Sequence, residues 1–422
     1  MAAPTAPGID VEAARSALAG ACDEVTRAGE TDAVDGVTPA LVARPGSAEE
    51  VAAVLRVAAE QGLAVVARGA GTKLTWGRPP ERADLVVDVS GLSGVIDHAA
   101  GDLIVEVHAG TPLAEVQRTV AGAGQRLLID DPVGGSTVGG ALATNLSGPG
   151  RVAGGTARDL LIGVTLVRAD GVVAKAGGRV VKNVAGYDLG KLVIGSFGTL
   201  GVVTRAVFRL HPLPPARRVV RVPVRSAEDA DRLTQAVVHA QVVPAAVELD
   251  WPAEGPGELA VLLEGTDRGV EARAATTMGL LGGGAAADEE PPETWGRFPW
   301  AGGAERPLAV KATFALSGLP AVLRAARASG PGVALRGSTG AGVLYGTLPA
   351  GTPVEVAAAA VERLRAACTA AGGALVVLDG PPATTAALDT WGPVPALALM
   401  RRVKQQFDPD RRLAPGRFVG GI

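Results

Sequence analysis

Two glycine loops hold the residues best able to do chemistry. The first is RGAGT (Arg68, Gly69, Ala70, Gly71, Thr72), with Trp76 and Gly77 close behind. The second is DPVGGSTVGG, with Pro132, Gly134, Ser136, Thr137, Val138, Gly139 and Gly140. A glycine loop after a strand exposes successive N–H groups, and such groups suit a phosphate. Ser136 and Thr137 add hydroxyls at an expected helix start, where the dipole favours an anion. The chemistry implied is the cradling of a pyrophosphate on a large cofactor. The competing reading is a set of tight turns, and 58 glycines in 422 residues make it a serious one. Neither GxGxxG nor a GKS or GKT phosphate loop occurs, which argues against a Rossmann crossover and a P-loop.

Other charged and polar groups are less telling. Arg158 and Asp159 stand just before an expected strand, where a charged pair reads as a surface salt bridge or a ligand. Lys182 and Asn183 precede Ala185-Gly186-Tyr187-Asp188, and Lys182 is either a phosphate or ring neighbour or a solvated side chain. The four histidines, His98, His108, His211 and His239, are scattered. Cys22 and Cys368 have no metal-ligand spacing and sit in apolar helical patterns, so both are expected to be buried and inert. No metal site is expected.

The elements that must position these loops are legible in outline. SAEEVAAVLRVAAEQG reads as a helix capped by Ser47 with Glu50 three residues on. The strand Leu63–Arg68 then feeds the first loop. Further strands are expected at 85–90 and 102–110, and a helix at 111–124 begun by Thr111 and Pro112. A short helix at 137–146 would lie against a cofactor. Residues 160–177 read as a hairpin turning at Asp170-Gly171. After Pro215 strands and helices alternate around a Gly, Ala and Pro-rich stretch at 280–308 expected to be a surface loop, an order that reads either as two strand–helix–strand–strand–helix–strand passes or as one broken four-stranded unit seen twice. At this length two domains are expected. A net charge of -3 without clustered cations argues against nucleic acid.

The order RGAGTKLTWG, DPVGGSTVGGALATN, GGTARDLLIGVTLVRADG, VVKNVAGYDLGKLVIGSFGTLGVVT and KQQFDPDRRLAPGRF resembles the FAD-linked oxidases with a PCMH-type (vanillyl-alcohol oxidase-like) FAD-binding domain. Within them it is similar to the smaller, E-type FAD-binding subunits of bacterial glycolate oxidases. KNVAGYDL together with GSFGTLGV is the specific part. The resemblance implies an α+β fold. A two-subdomain FAD-binding domain would cover 1–215, with its core at about 38–215. A smaller cap of antiparallel sheet and helices would cover 216–380, and a segment 381–422 would return to the first domain.

The resemblance further implies FAD held by Arg68 to Thr72, Trp76 and Gly77, and by Pro132 to Gly140. Asn145, Arg158, Asp159, Lys182, Asn183, Gly198, Gly201, Val202 and Arg417 complete the implied set. Some relatives attach the flavin covalently through a histidine in the first loop. Ala70 and its neighbours offer none, so non-covalent FAD is expected. Glycolate and D-lactate dehydrogenases of the family carry a His-x-Gly-Asp-Gly-Asn-x-His segment, and this sequence lacks it. Catalytic residues are therefore unassigned, with Arg336, Lys311, Tyr345 and Lys404 as weak candidates.

The implied function is the FAD-binding subunit of a glycolate oxidase complex that oxidises glycolate to glyoxylate. Its partners would be a larger FAD-containing subunit and an iron–sulfur subunit, since two cysteines cannot ligate a cluster. A free-standing FAD-dependent oxidoreductase of 2-hydroxy acids or alcohols, and a non-catalytic structural subunit, are the alternatives. With no signal peptide or apolar span in the sequence, a cytoplasmic protein is expected, reaching the inner face of the cell membrane only through partners.

Overall fold

The computed structural model describes residues 9–179, 188–303, 305–330 and 332–422. The strands in the first half are β1 (Val25–Arg27), β2 (Leu41–Ala43), β3 (Val65–Arg68), β4 (Leu85–Asp88), β5 (Val95–Ala99), β6 (Ile104–His108), β7 (Gln125–Arg126), β8 (Leu161–Val167), β9 (Val173–Gly177), β10 (Val202–Arg209) and β11 (His211–Pro212). Those of the second half are β12 (Ala216–Val224), β13 (Ala246–Trp251), β14 (Gly257–Gly265), β15 (Ala286–Asp288), β16 (Leu308–Thr313), β17 (Ala334–Ser338), β18 (Val343–Leu348) and β19 (Ala374–Asp379).

The first half is two small α+β units. One is a four-stranded sheet in the order β1-β2-β4-β3, in which β2, β4 and β3 run parallel. Its helix, Ala48–Glu60, buries Val51, Val54, Leu55 and Ala58, the three-and-four spacing of one helical face. Ser47 caps it by accepting from the Glu50 amide, but the Glu50 carboxylate turns to the Gly46 amide. The other unit is a five-stranded antiparallel sheet, β5-β6-β10-β8-β9. The β8–β9 hairpin turns at Asp170-Gly171 as its sequence requires, with Gly171 at φ 77°. The expected helix at 111–124 is shorter, Leu113–Ala121, and its N-cap is Pro112. Thr111 faces the other way, its hydroxyl exchanging hydrogen bonds with the Gly94 backbone.

The second half carries the twofold pattern in full. β12 to β15 with helices Ala227–Val238 and Asp267–Leu281 form one strand–helix–strand–strand–helix–strand unit. β16 to β19 with helices Leu319–Ala328 and Val354–Ala370 form the next. Together they make one eight-stranded sheet, β15-β12-β14-β13-β17-β18-β16-β19, so the two units meet as mirror-ordered halves at β13 and β17. Alternation divides the sheet faces. Val247, Leu249, Trp251, Leu335, Leu344 and Val310 join Leu233, Val322, Leu323 and Leu364 of the helices in one core. The opposite face carries Glu248, Asp250, Arg336, Ser338, Tyr345 and Lys311, as the register shows. Ala309, Val343 and Tyr345 of that face belong to the core of the first half.

The C-terminal segment lies against the first half. The Val65 amide donates to Arg412 O, and Ala414 donates back to Val65 O. Lys404 is 4% exposed and Asp408 fully buried. Lys404 Nζ donates to Asp408 Oδ2 at 2.7 Å, to Thr199 O at 2.8 Å and to Leu413 O at 2.9 Å. This corrects the reading of Lys404 as a substrate residue: every Nζ proton is committed to tethering the tail. Removing one partner of a buried pair strands a charge. Asp408→Asn should therefore cost about 3–5 kcal/mol of stability, checked by denaturant unfolding. A loss below about 1 kcal/mol would show that the tether carries little.

Candidate FAD cleft and the adjoining cap pocket

The first loop leaves β3 and runs against the start of the helix Val138–Thr144. Thr137 caps that helix, accepting from the Gly140 amide at 3.3 Å. A Cβ placed on Gly69 would lie 2.1 Å from Thr137 Oγ1. Only glycine lets the two loops meet. Around them lie two adjoining clefts with about 470 and 500 Å³ of empty space. Both are lined by Arg68, Gly69, Gly140, Ala143 and Phe197. The first adds Ala70, Gly71, Thr72, Thr137 and Arg417; the second adds Gly139, Gly198, Gly201 and Val202.

The loop amides differ in what they can offer. Those of Ala70, Gly71, Thr72 and Lys73 donate to no acceptor among the described residues. Those of Val138 and Gly139 are spent on Thr111 O and Ala109 O. The first loop thus offers four bare amides in a row, while the second spends two of its own on bracing.

Charge is arranged to match. Arg68 is 2.7 Å from Asp32 and 2.8 Å from Asp88, so two carboxylates neutralise it. Lys73, absent from the sequence-derived set, lines the cleft and forms no ion pair among the described residues. Its Nζ donates to Thr72 Oγ1 at 2.9 Å and Ser136 Oγ at 2.7 Å, and Ser136 donates to Asp131 at 2.6 Å. Burial pulls its pKa down to about 8, against the nearby Asp131. Arg417, 4% exposed, donates through Nη2 to Leu74 O and Trp76 O at 2.7 Å. Its buried Nε has no partner among the described residues, and burial pulls its pKa down to about 10. Bare amides and two cations that form no direct ion pair among the described residues fit a diphosphate.

The remaining sequence-derived residues are distributed as follows. Gly77, at φ 85°, lies against Arg417 O and donates to Leu378 O, joining the first loop to the tail and to the cap. Gly134 turns its loop at φ 81°. Asn145 ends the helix in the left-handed region at φ 50°, its buried Oδ1 unpartnered. Arg158 and Asp159 are exposed and away from the cleft lining; the Asp159 carboxylate caps its own short helix by accepting from Thr156 N at 2.8 Å. Lys182 and Asn183 lie outside the described residues. Among those described, no group of three or more His, Cys, Asp or Glu could hold a metal ion, and no helix is long and apolar enough to cross a membrane. Both cysteines are buried, and burial pushes the Cys368 thiol up to about 11.

Trp76 is buried and leads away from the cleft into an aromatic cluster. Its ring centroid is 5.9 Å from Phe298, which lies 4.6 Å from Trp300 and 4.4 Å from Tyr345. The 280–308 stretch is therefore more than a surface loop: it holds β15 and buries Phe298 at 3% exposure. Beside the cluster is a pocket with about 310 Å³ of empty space, lined by Pro132, Ser147, Arg151, Glu248, Arg336, Ser338 and Tyr345. Asp131 links it to the cleft, because its carboxylate holds Ser136 while the next residue, Pro132, lines the pocket. Sequence reading found Arg336 and Tyr345 but missed Glu248 and Arg151. Arg336 is paired with Asp250 at 3.0 Å. Lys311 shares the Tyr345 row. Burial raises the Glu248 pKa to about 8, with Arg151 and Ser338 opposing.

Comparison with known proteins fits this geometry. Residues 39–177 match the family model "FAD binding domain", and 386–418 match "FAD linked oxidases, C-terminal domain". Glycolate oxidase subunit GlcD of Bacillus subtilis is 31% identical over 217 residues, 51% of this chain and 46% of that one. Glycolate oxidase subunit GlcE of Escherichia coli is 36% identical over 159 residues, 37% of this chain and 45% of that one. D-2-hydroxyglutarate dehydrogenase of Xanthomonas citri is 37% identical over 183 residues, 43% and 39% of the two chains. The matches thus span less than half the length of each relative. An alkyldihydroxyacetonephosphate synthase structure superposes with a TM-score of 0.68 at 17% identity, covering 90% of this chain and 78% of its own. BBE-like 1 of Physcomitrella patens superposes with a TM-score of 0.68 at 14% identity, covering 95% and 97%.

Two outcomes follow for the cleft. Gly69→Val should yield folded protein without flavin, read as flavin absorbance per chain beside an unchanged circular dichroism spectrum; a flavin-replete variant would contradict the cleft. Lys73 should hold FAD as a cation. Its free-state pKa of about 8 means that FAD affinity should fall about tenfold from about pH 7 to about pH 9 as the proton is lost. Lys73→Met should bind FAD more weakly at about pH 7 and show a flat profile; a fall persisting in Lys73→Met would acquit Lys73. With glycine-built loops, bare amides and a returning C-terminal segment in these matched regions, residues 39–177 are a FAD-binding domain like that of the FAD-linked oxidases, and the cofactor is FAD.

Proposed function

We propose that this chain is a FAD-dependent oxidoreductase of small 2-hydroxy acids, serving as the FAD-binding subunit of a glycolate oxidase-type complex. The observation that carries the reading is a cleft of bare amides and two cations, joined through the loop Asp131–Thr137 to a pocket on the cap sheet lined by Arg151, Glu248, Arg336 and Tyr345. The likeness to glycolate oxidase subunits and to a hydroxyacid dehydrogenase supports the substrate class. Bound FAD would accept a hydride from the alcohol carbon. The chain's own residues do the rest. The bare amides of Ala70 to Lys73, with Lys73 and Arg417, hold the diphosphate. Trp76, Phe298, Trp300 and Tyr345 exclude water beside the pocket. Arg151 and Arg336 bring positive charge to a substrate carboxylate.

Cys22 and Cys368 are both buried and have no cluster spacing, and no group of His, Cys, Asp or Glu among the described residues offers an iron–sulfur site. Electrons from glycolate would pass to a partner subunit that carries one, and a larger FAD subunit would complete the complex. Cytoplasmic placement, at a membrane only through those partners, is part of the proposal. The cap pocket favours a second reading, in which the chain oxidises its hydroxy acid unaided.

Anaerobic mixing of the FAD-loaded protein with glycolate, D-lactate and D-2-hydroxyglutarate tests both. Flavin bleaching by a hydroxy acid only when co-purifying subunits are present is the expected result, and bleaching of the lone chain selects the second reading. Fully loaded protein that no hydroxy acid bleaches, with or without its partners, would overturn both. Acid precipitation should leave the yellow colour in the supernatant; colour remaining on the polypeptide would contradict non-covalent binding.

A further inference from the structure

Arg417 is a cleft cation with no direct ion pair among the described residues, yet a buried acid stands close enough to act on it. That acid is Asp35, the one carboxylate whose charge bears on Arg417. Its side chain is 5% exposed, and its backbone is held in the left-handed region at φ 48°. Burial pushes the Asp35 carboxyl up. Arg306 does most to keep it charged, against Asp379 and ahead of Arg417.

Arg306 takes that carboxylate from the cap side. Its Nη2 lies 2.8 Å from Asp35 Oδ1 and donates to Thr75 O at 3.2 Å, while its Nε donates to Asp379 Oδ1 at 2.6 Å. Asp379 has other donors, Thr75 Oγ1 at 2.7 Å and the Gly380 amide at 2.8 Å. Asp35 has Arg306 as its one ion-pair partner among the described residues. A buried carboxylate stripped of its cation carries an uncompensated charge. Without Arg306, Asp35 would turn to Arg417. Arg417 would then meet the cofactor with its charge cancelled, and Asp35 would repel the diphosphate.

We propose that Arg306 is a positioning residue for FAD: it holds Asp35 and so leaves the charge of Arg417 to the diphosphate. Arg306 lines neither cleft, so its effect passes through Asp35 and Arg417. The rival role is a structural clasp that merely steadies the first loop through Thr75.

Equilibrium titration of the deflavinated full chain with FAD, and separately with riboflavin, tells the two apart. Arg306→Met should weaken FAD about tenfold and riboflavin, which has no diphosphate, by less than about threefold. Adding Asp35→Asn to Arg306→Met should bring FAD affinity back to within about threefold of wild type, because the competing charge is gone. A clasp would lose both ligands together and gain nothing from Asp35→Asn. If Arg306→Met alone does not fold, the Asp35→Asn background decides: there Arg306→Met should cost FAD less than about threefold. Riboflavin lost in step with FAD, a FAD loss of about tenfold that persists with Asp35→Asn, or wild-type FAD binding in Arg306→Met would overturn the inference.

Discussion

Thr137 occupies the space a side chain on Gly69 would need, its Oγ1 only 2.1 Å from where that Cβ would be. This close approach sets the rest of the site. It holds the loop after β3 against the first turn of the helix Val138–Thr144, leaving the amides of Ala70 to Lys73 bare. The second loop spends its Val138 and Gly139 amides on Thr111 O and Ala109 O. One loop offers its amides and the other braces it.

The tail and the cap are fastened to the same loop. Arg417 holds Leu74 O and Trp76 O from the C-terminal side, while Lys404 and Asp408 anchor the segment that carries it. From the cap, Arg306 reaches Asp35 at 2.8 Å, Asp379 at 2.6 Å and Thr75 O at 3.2 Å. Arg126 and Glu264 close the far side of the interface as a bidentate pair at 2.6 Å. These partly buried, multiply bonded contacts fix the cap face against the first half, and with it the position of Glu248 and Arg151 relative to the cleft.

Much of the fold was legible because it rests on local rules. The Ser47 cap, the Asp170-Gly171 turn and the apolar face of Ala48–Glu60 are readable from neighbours a few residues apart. The doubled order of the cap was readable too, because each strand alternates and each helix repeats. The glycine loops were found as phosphate cradles, but the sequence could not divide their labour, since which amides are spent depends on Ala109 and Thr111. Lys73 looked like one more loop residue; its burial comes from Ser136 and Asp131, distant in the chain. Glu248 and Arg151 were missed for a related reason. A Glu in AVELDW and an Arg in GPGRVAGG read as a strand-edge residue and a loop residue until the sheet face is known. Lys404 failed the other way, a cation near a motif whose protons all go to the backbone and Asp408.

The central claim is that the cleft recognises FAD through its diphosphate. An equilibrium titration of the deflavinated chain, first with FAD and then with riboflavin, tests it most directly. The account predicts saturation by FAD at one per chain and binding of riboflavin weaker by at least about a hundredfold, since charge-assisted contacts are each worth about 1.5–3 kcal/mol. Riboflavin binding as tightly as FAD would contradict it.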